Sequence, residues 1–270
     1  MVQEKFLVSV VMATHNGSRF IREAIDSVLR QTYRNFEFIV IDDASTDNVA
    51  DIVTSFEDQR IRPVYNEARL GLTKSLNRAI KLCRGEYMAR IDDDDVWADN
   101  DKLGRQVSFM RGREGVGVCG TQNVVIDDKG RELYRLRYES GDKAIRQQML
   151  RRNQFPHSGV LVRRGALDQV GLYDERCRYA QDFELWLRIG TQYELANLPD
   201  VYIKQRVNPR GVTSRKNIQQ YFSFMRIAYR YRNKYPGFYK NWPVYGSELV
   251  MNLLPKSVFY YLGGWRRARI

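Results

Sequence analysis

Over its first 95 residues the chain alternates between short apolar runs and longer stretches whose apolar residues recur at helical spacing. Residues 7–12 are almost wholly apolar, which predicts a strand buried on both faces. Residues 18–31 follow, with Phe20, Ile21, Ile25, Val28 and Leu29 on one side of a helix. A second strand is expected at 36–41, a helix at 47–57 capped by Ser45 or Thr46, a short third strand at 61–65, a helix at 72–82 and a fourth strand at 86–91. Pro63 has no N–H to donate to a ladder, so the third strand belongs at an edge. Strands separated by helices are joined by crossovers, so the order predicts a parallel sheet with right-handed connections.

Beyond residue 95 the pattern loosens. A helix near 99–110 leads to an apolar strand at 116–119. A hairpin turning at Asp127-Asp128-Lys129-Gly130 joins 124–126 to 133–134. Helices are expected at 141–151 and 181–189, with an apolar strand at 160–162 between them. From about 215 the chain reads as helical, broken at Pro236, Pro243 and Pro255. A length of 270 residues with 43% apolar content suffices for one large α/β domain and a smaller appendage. No run approaches the ~18 apolar residues that cross a bilayer, and the first residues lack the apolar region of a secretory signal, so a cytoplasmic location is expected. Cys83, Cys119 and Cys177 are widely spaced and form no CxxC pair, which reads as reduced thiols and not as a zinc site.

The net charge of +12 is unevenly spread. Residues 201–270 hold 14 Lys/Arg against one acid, Glu248, and 15 of the 33 aromatics, while the first 200 residues are nearly balanced. A basic, aromatic segment suits a partner with negative charge and an apolar face.

Ligands of open parallel sheets bind beyond the carboxyl ends of the strands. The first strand ends in Ala13-Thr14-His15-Asn16-Gly17, which is neither a GxGxxG loop nor a Walker A loop. The second ends in Asp42-Asp43-Ala44-Ser45-Thr46-Asp47, where Asp43 is a candidate acceptor of hydrogen bonds from a ribose or a base. The fourth ends in Asp92-Asp93-Asp94-Asp95. Four successive carboxylates repel one another, and a fold tolerates them where a cation compensates. Mg²⁺ and Mn²⁺ take oxygen ligands, one or two carboxylates together with substrate phosphates.

At these residues the sequence resembles family 2 glycosyltransferases of the GT-A fold. The resemblance is carried by Val8-Ser9-Val10-Val11-Met12-Ala13-Thr14-His15-Asn16, Ser27-Val28-Leu29-Arg30-Gln31-Thr32-Tyr33, and Ile41-Asp42-Asp43-Ala44-Ser45-Thr46-Asp47. It continues through Gly71 to Asn77, Gly85 to Asp95, Val170 to Glu175, and Asp182-Phe183-Glu184-Leu185-Trp186-Leu187-Arg188, over residues 6–205. It implies a Rossmann-like, mostly parallel sheet flanked by helices, with a catalytic domain over 1–214 (nucleotide half about 6–95, acceptor half about 96–214) and a helical extension over 215–270. It further implies that Ala13, Thr14, His15 and Asn16 line the nucleotide site and that Asp43 contacts the base. Lys74 and Asn77 approach the nucleotide, Asp92 and Asp93 meet the ribose or donor sugar, and Asp94 with Asp92 holds Mn²⁺ or Mg²⁺. Asp182 matches the catalytic base, with His157 and Gln181 toward the acceptor. Gln181 stands where the family commonly has Glu. The loop after the strand near 200–206 lacks the family's frequent His, leaving Arg206 or Arg210 as candidates to hold the diphosphate.

The implied reaction moves a sugar from a nucleoside-diphosphate sugar, UDP by family frequency, to a saccharide or lipid-linked hydroxyl in bacterial surface-polysaccharide assembly. A single base acting opposite the leaving group implies inversion. Residues 251–262 followed by Trp265-Arg266-Arg267-Ala268-Arg269 suit the surface of an anionic membrane, which suggests peripheral docking. Two other readings are a sugar-phosphate nucleotidyltransferase, whose Gly-rich basic signature is absent after the first strand, and a nucleic-acid-binding protein. The acidic cleft argues against the latter.

Overall fold

A computed structural model describes residues 6–207 and 218–253. Its first half follows the expected alternation. Strands β1 (Val8–Thr14), β2 (Phe36–Asp42), β3 (Ile61–Tyr65) and β4 (Tyr87–Arg90) are separated by helices α1 (Ile21–Leu29), α2 (Val49–Thr54) and α3 (Leu72–Leu82). These four strands run parallel in the order β3-β2-β1-β4, with the Pro63-bearing strand at the edge. Side chains on β1 alternate: Val8, Val10 and Met12 enter one apolar core, Val11 and Ala13 the other. Burial on both faces is why the strand reads as an almost wholly apolar run.

The second half closes the sheet with mixed pairing. The two-residue strand β5 (Val96–Trp97), helix α4 (Lys102–Arg111), strands β6 (Val116–Ile126) and β7 (Glu132–Leu136), and helix α5 (Asp142–Met149) come first. Strand β8 (Leu161–Arg163), helices α6 (Arg164–Val170) and α7 (Gln181–Ile189), and the long strand β9 (Glu194–Arg206) follow. The sheet runs on from β4 as β8-β6-β9-β5, and β7 pairs with β6. β8 is antiparallel to β4 and to β6, whereas β9 runs parallel to β6.

Several boundaries differ from expectation. β6 is one continuous strand through residues 120–123, where β9 pairs with it and bonds the amide nitrogens of Gln122 and Asn123. Gln122 donates to the Leu198 carbonyl (3.1 Å) and Asn123 to Gln205 (2.6 Å). α2 is shorter than 47–57, and neither Ser45 nor Thr46 caps it. The Ser45 hydroxyl accepts from the Asn16 N–H (3.0 Å), the Thr46 N–H donates to Asn16 Oδ1 (2.8 Å), and the Asp47 carboxylate takes the Ser18 N–H (2.9 Å). These residues bind the loop after β2 to the loop after β1. Cys83 and Cys119 are buried and Cys177 partly so, all as free thiols. Burial pushes the Cys83 thiol up to about 11 and Cys119 to about 12, which leaves them unreactive.

Helices α8 (Ile218–Arg230) and α9 (Trp242–Leu253) follow. Pro243 lies in the first turn of α9, where a missing N–H costs nothing, so it opens that helix instead of breaking one. Ile227, Ala228, Tyr231, Tyr235, Phe238 and Tyr245 join the same apolar core as α5, α6 and α7. Their hydroxyls are spent inside: Tyr235 donates to the Leu187 carbonyl (2.8 Å), Tyr245 to the Leu150 carbonyl (2.7 Å) and Tyr231 to Glu184 (2.8 Å). Residues 254–270, with the basic tryptophan segment, and Arg210 lie outside the described residues. Among the described residues no helix is long and apolar enough to cross a membrane.

Candidate active site

The loops that follow β1 and β2 and the turn before α7 each contain a non-glycine residue in the left-handed region: Asn16 (φ 57°), Ala44 (φ 55°) and Ala180 (φ 55°). Such residues cost free energy and persist where the surroundings fix them, often at sites of function. Asn16 adjoins Gly17, which abuts Asp93, and Ala180 leads into Gln181 and Asp182.

The acidic turn 92–95 is held from both ends by buried arginines. Arg90, at the end of β4, is fully buried and ion-paired with Asp92. Burial alone would raise the Asp92 carboxyl, but the Arg90 charge holds it below the usual range. The Ser158 hydroxyl bonds Asp92 (3.2 Å) and Asp95 and also accepts the Asp92 N–H (3.0 Å). At the far end Arg206 is buried. Its N–H donates to the Asp95 carboxylate (2.8 Å), and its guanidinium reaches the Asp94 carbonyl (3.0 Å), the Asp127 carbonyl (3.1 Å) and Glu23 (2.6 Å). Each guanidinium nitrogen is thus engaged within the protein and the side chain is only 2% exposed, which corrects the expectation that Arg206 grips a diphosphate. It clamps the acidic turn to α1 and to the β6–β7 hairpin.

Between these clamps the negative charge is poorly balanced. Burial and then the Asp94 carboxylate push Asp93 up to about 7, although Thr14 donates to it. Asp95 is raised well above its ordinary value by burial and by Asp92 and Asp94. Gly17 makes room for the arrangement, since a Cβ there would sit 2.1 Å from Asp93 Oδ2.

The nucleotide candidates fall into two groups. Ala13, Thr14, His15 and Asn16 lie together at the end of β1, with His15 Nδ1 2.9 Å from the Asp43 carbonyl oxygen. Asp43 is buried, and burial would raise its carboxyl. Donation from Asn66 (2.7 Å) and from the Leu70 and Gly71 N–H groups (2.8 Å each) brings it below its usual range. It is thus a fixed carboxylate that also organises the loop opening α3. Lys74 is exposed on α3. Asn77 differs from the expectation of a nucleotide contact. Its amide donates to the Tyr173 carbonyl (2.9 Å) and Glu175 (3.0 Å) and accepts the Tyr173 N–H (3.0 Å), so it joins α3 to the segment before α7.

Asp182 occupies the first turn of α7, next to the buried Gln181. Burial raises its carboxyl, against the opposing effects of the Phe183 N–H and the Arg90 charge. Arg90 and Asp92 lie close enough to bias that ionisation, so the base candidate and the acidic turn share one site. The Asn153 amide donates to Asp182 Oδ2 (2.8 Å). His157 is kept neutral by burial and by Arg90. Its Nε2 meets the Tyr173 hydroxyl at 2.8 Å, and its ring packs edge-on against Trp186.

Arg90, Ser158 and Asn153 escaped the sequence reading. The signal for Arg90 was present: one charged residue inside the apolar run 87–91, immediately before the aspartates. Nothing local marks Ser158 or Asn153, which reach the site through the fold.

The model of the family described as glycosyl transferase family 2 matches residues 9–171, and the chain belongs to that family. Membership sets aside the nucleotidyltransferase and nucleic-acid-binding readings. An uncharacterized glycosyltransferase of Methanocaldococcus jannaschii is 29% identical over 93% of this chain and 89% of its own length. The putative glycosyltransferase EpsE of Bacillus subtilis is 33% identical over 74% of this chain and 72% of its own. UDP-Glc:alpha-D-GlcNAc-diphosphoundecaprenol beta-1,3-glucosyltransferase WfgD of Escherichia coli is 41% identical over a shorter stretch, 40% of this chain and 42% of its own. Among solved structures, the S. aureus TarS 1–349 complex with UDP-GlcNAc superposes with a TM-score of 0.68 at 19% identity, covering 82% of this chain and 65% of that one. The mannosyltransferase PcManGT from Pyrobaculum calidifontis, in complex with GDP-Man and Mn²⁺, gives 0.66 at 22% identity, covering 90% and 69%. At these identities the structures establish the GT-A fold.

Proposed function

We propose that the chain transfers a sugar, with inversion, from a nucleoside-diphosphate sugar to a hydroxyl of a saccharide or lipid-linked acceptor in cell-surface polysaccharide synthesis. The observation that carries this is Asp182, a carboxyl raised by burial and within electrostatic reach of the acidic turn. A base whose pKa is lifted toward neutrality is the stronger proton acceptor. Asp182 takes the proton of the attacking hydroxyl while the anomeric centre passes through a cation-like state. Thr14, Asn16 and Asp43 bind the nucleoside, and Asp93 the ribose or donor sugar.

The donor set suits a hard divalent cation. Asp92 is already neutralised by Arg90, whereas burial and then the neighbouring carboxylates raise Asp93 and Asp95 in spite of the hydrogen bonds from Thr14, Ser158 and Arg206. Among the described residues no group of three or more acidic, His or Cys side chains makes an all-protein cage. The fit is therefore to an ion held by Asp94, with the remaining ligands from the diphosphate, as Mg²⁺ and Mn²⁺ sites are built. Such an ion, Mn²⁺ or Mg²⁺, would supply Lewis-acid neutralisation of the departing diphosphate. A UDP-sugar is the favoured donor, given WfgD; the GDP-Man complex of PcManGT makes GDP-sugars the second panel. Calorimetry of UDP and GDP with and without Mn²⁺, followed by NMR of the anomeric product, tests the reading. Retention at the anomeric carbon, or nucleotide binding unchanged by the cation, rejects it.

A lipid-linked acceptor would place the enzyme against a bilayer. Supporting this, Tyr229, Tyr239 and Trp242 are each more than half exposed and pack edge-on around Phe238, with Arg232 over the Tyr229 ring. Interfacial aromatics beside basic residues favour anionic lipid surfaces. Sedimentation with phosphatidylglycerol vesicles, against phosphatidylcholine alone, decides the point; equal recovery from both removes it.

A further inference from the structure

Asn153 lies outside every helix and strand, in the segment between α5 and β8, and neither the resemblance nor the relatives give it a role. Its side chain makes two directed contacts. Nδ2 donates to Asp182 Oδ2 at 2.8 Å, and Oδ1 accepts the Phe155 N–H at 3.2 Å. Turning the amide over would set its oxygen against the carboxylate and its N–H₂ against another N–H, so the Phe155 contact fixes which end meets Asp182. Phe155 is itself buried and packs edge-on against Trp186, 6.2 Å between ring centres. Trp186 lies on α7, four residues after Asp182. The donor and the carboxylate are thus anchored in the same piece of core.

We propose that Asn153 is a positioning residue for the catalytic base: it holds one oxygen of Asp182 and leaves the other for the acceptor hydroxyl. This rests on the reading of Asp182 as base. A donor bonded to the ionised carboxylate also favours that form. The other groups acting on Asp182 are Arg90 from β4, Asp92 from the acidic turn, Tyr173 before α7, Tyr138 after β7, and the Phe183 N–H of its own helix. None of these is altered when Asn153 is replaced.

The test uses the full chain and compares Asp182→Asn, Asn153→Ala, Asn153→Asp and the double variant Asn153→Ala/Asp182→Asn. Asn153→Ala should lower kcat about tenfold or more and move the acid limb of kcat/KM up by about one pH unit, the size of one lost charge-assisted hydrogen bond. Calorimetric affinity for UDP with Mn²⁺ should stay within twofold. Asn153→Asp keeps the shape and the Phe155 contact but sets a second carboxylate against Asp182, so its limb should move further in the same direction. It carries the test if the alanine variant does not fold. In the double variant the loss of Asn153 should cost nothing beyond Asp182→Asn, since there is no base left to position. An unmoved acid limb in both single variants, or full additivity in the double, overturns the proposal. If Asp182→Asn itself keeps wild-type kcat, it is the assignment of the base that has failed, and the Asn153 proposal falls with it.

Discussion

Gly17 is required by its neighbours. A methyl group on it would lie 2.1 Å from Asp93 Oδ2 and 2.5 Å from Thr14 Oγ1, inside any allowed contact. Both are candidate nucleotide-sugar ligands, so on the proposed function the added carbon displaces chemistry before it displaces core. Gly17→Ala should lower kcat/KM by at least tenfold through weaker nucleotide binding, while the melting temperature falls by only a few degrees, as for overpacking of about 1–3 kcal/mol. Steady-state kinetics beside a thermal melt separates the two effects. Asp182→Asn should behave the opposite way. Loss of a general base costs about 10²–10⁴ in kcat, yet burial opposes the ionisation of this carboxyl, so its removal should not lower stability. In the wild type the rate should rise with pH through the raised pKa of Asp182, because only the ionised form accepts a proton. The aspartates stood out in the sequence because four successive carboxylates repel one another and follow directly on a buried strand. Their supports were not. Arg206 looked like a phosphate ligand because an arginine after a strand has no visible partner until Glu23 and Asp127 are brought beside it.

At the scale of elements, periodicity identified what local sequence determines. β1 to β4 and α3 fell where expected, since short, mostly apolar runs between helices and a single apolar stripe leave few alternatives. It missed β5 and α6, which are too short to carry a period, and it split β6 at polar residues where Gln122 and Asn123 find their partners in β9 and in the segment near Tyr138. α4 contains a further buried cation, one with no sequence signal. Lys102 is fully buried, donates to Gln106 (2.9 Å) and lies 4.0 Å over the Trp97 ring. Burial pulls its pKa down to about 7. Between about pH 7 and the ordinary lysine value the unfolded chain holds a proton that the folded chain has released. Stability should therefore rise with pH across that window and be flat below it with respect to this group. Lys102→Met fills similar volume without the charge. It should abolish this rise and stabilise the protein by about 1–4 kcal/mol at pH 6, where the burial cost is full. Urea unfolding at pH 6 and pH 9 measures both; a variant less stable than wild type at pH 6 contradicts the argument.

For the whole molecule, sequence resemblance ends near residue 205 and invites a boundary at 214, with an extension beyond. The packing argues for a closer union. Tyr231, Tyr235 and Tyr245 send their hydroxyls to Glu184, Leu187 and Leu150, and Phe224 stacks on Phe183 with ring centres 4.6 Å apart. Glu184, Leu187 and Phe183 all lie on α7, the helix that begins beside Asp182. Removing α8 and α9 would expose that face and take Tyr231 and Arg230 away from the buried Glu184, leaving it the Arg188 ion pair of its own helix. The composition of the segment did signal its aromatics, but an aromatic ring reads alike whether it faces core or lipid, and only the fold sorts Phe238 inward from Trp242 outward. A chain ending at residue 214 should consequently lose most of its cooperative stability. It should melt well below the full-length protein, with binding of a nucleoside diphosphate lost together with the fold and not retained by a free-standing catalytic unit. Differential scanning calorimetry of the two chains is decisive: one shared transition that drops on truncation means that α8 and α9 belong to the catalytic domain. Two transitions in the full chain, the upper surviving truncation with nucleotide affinity intact, would restore the boundary at 214.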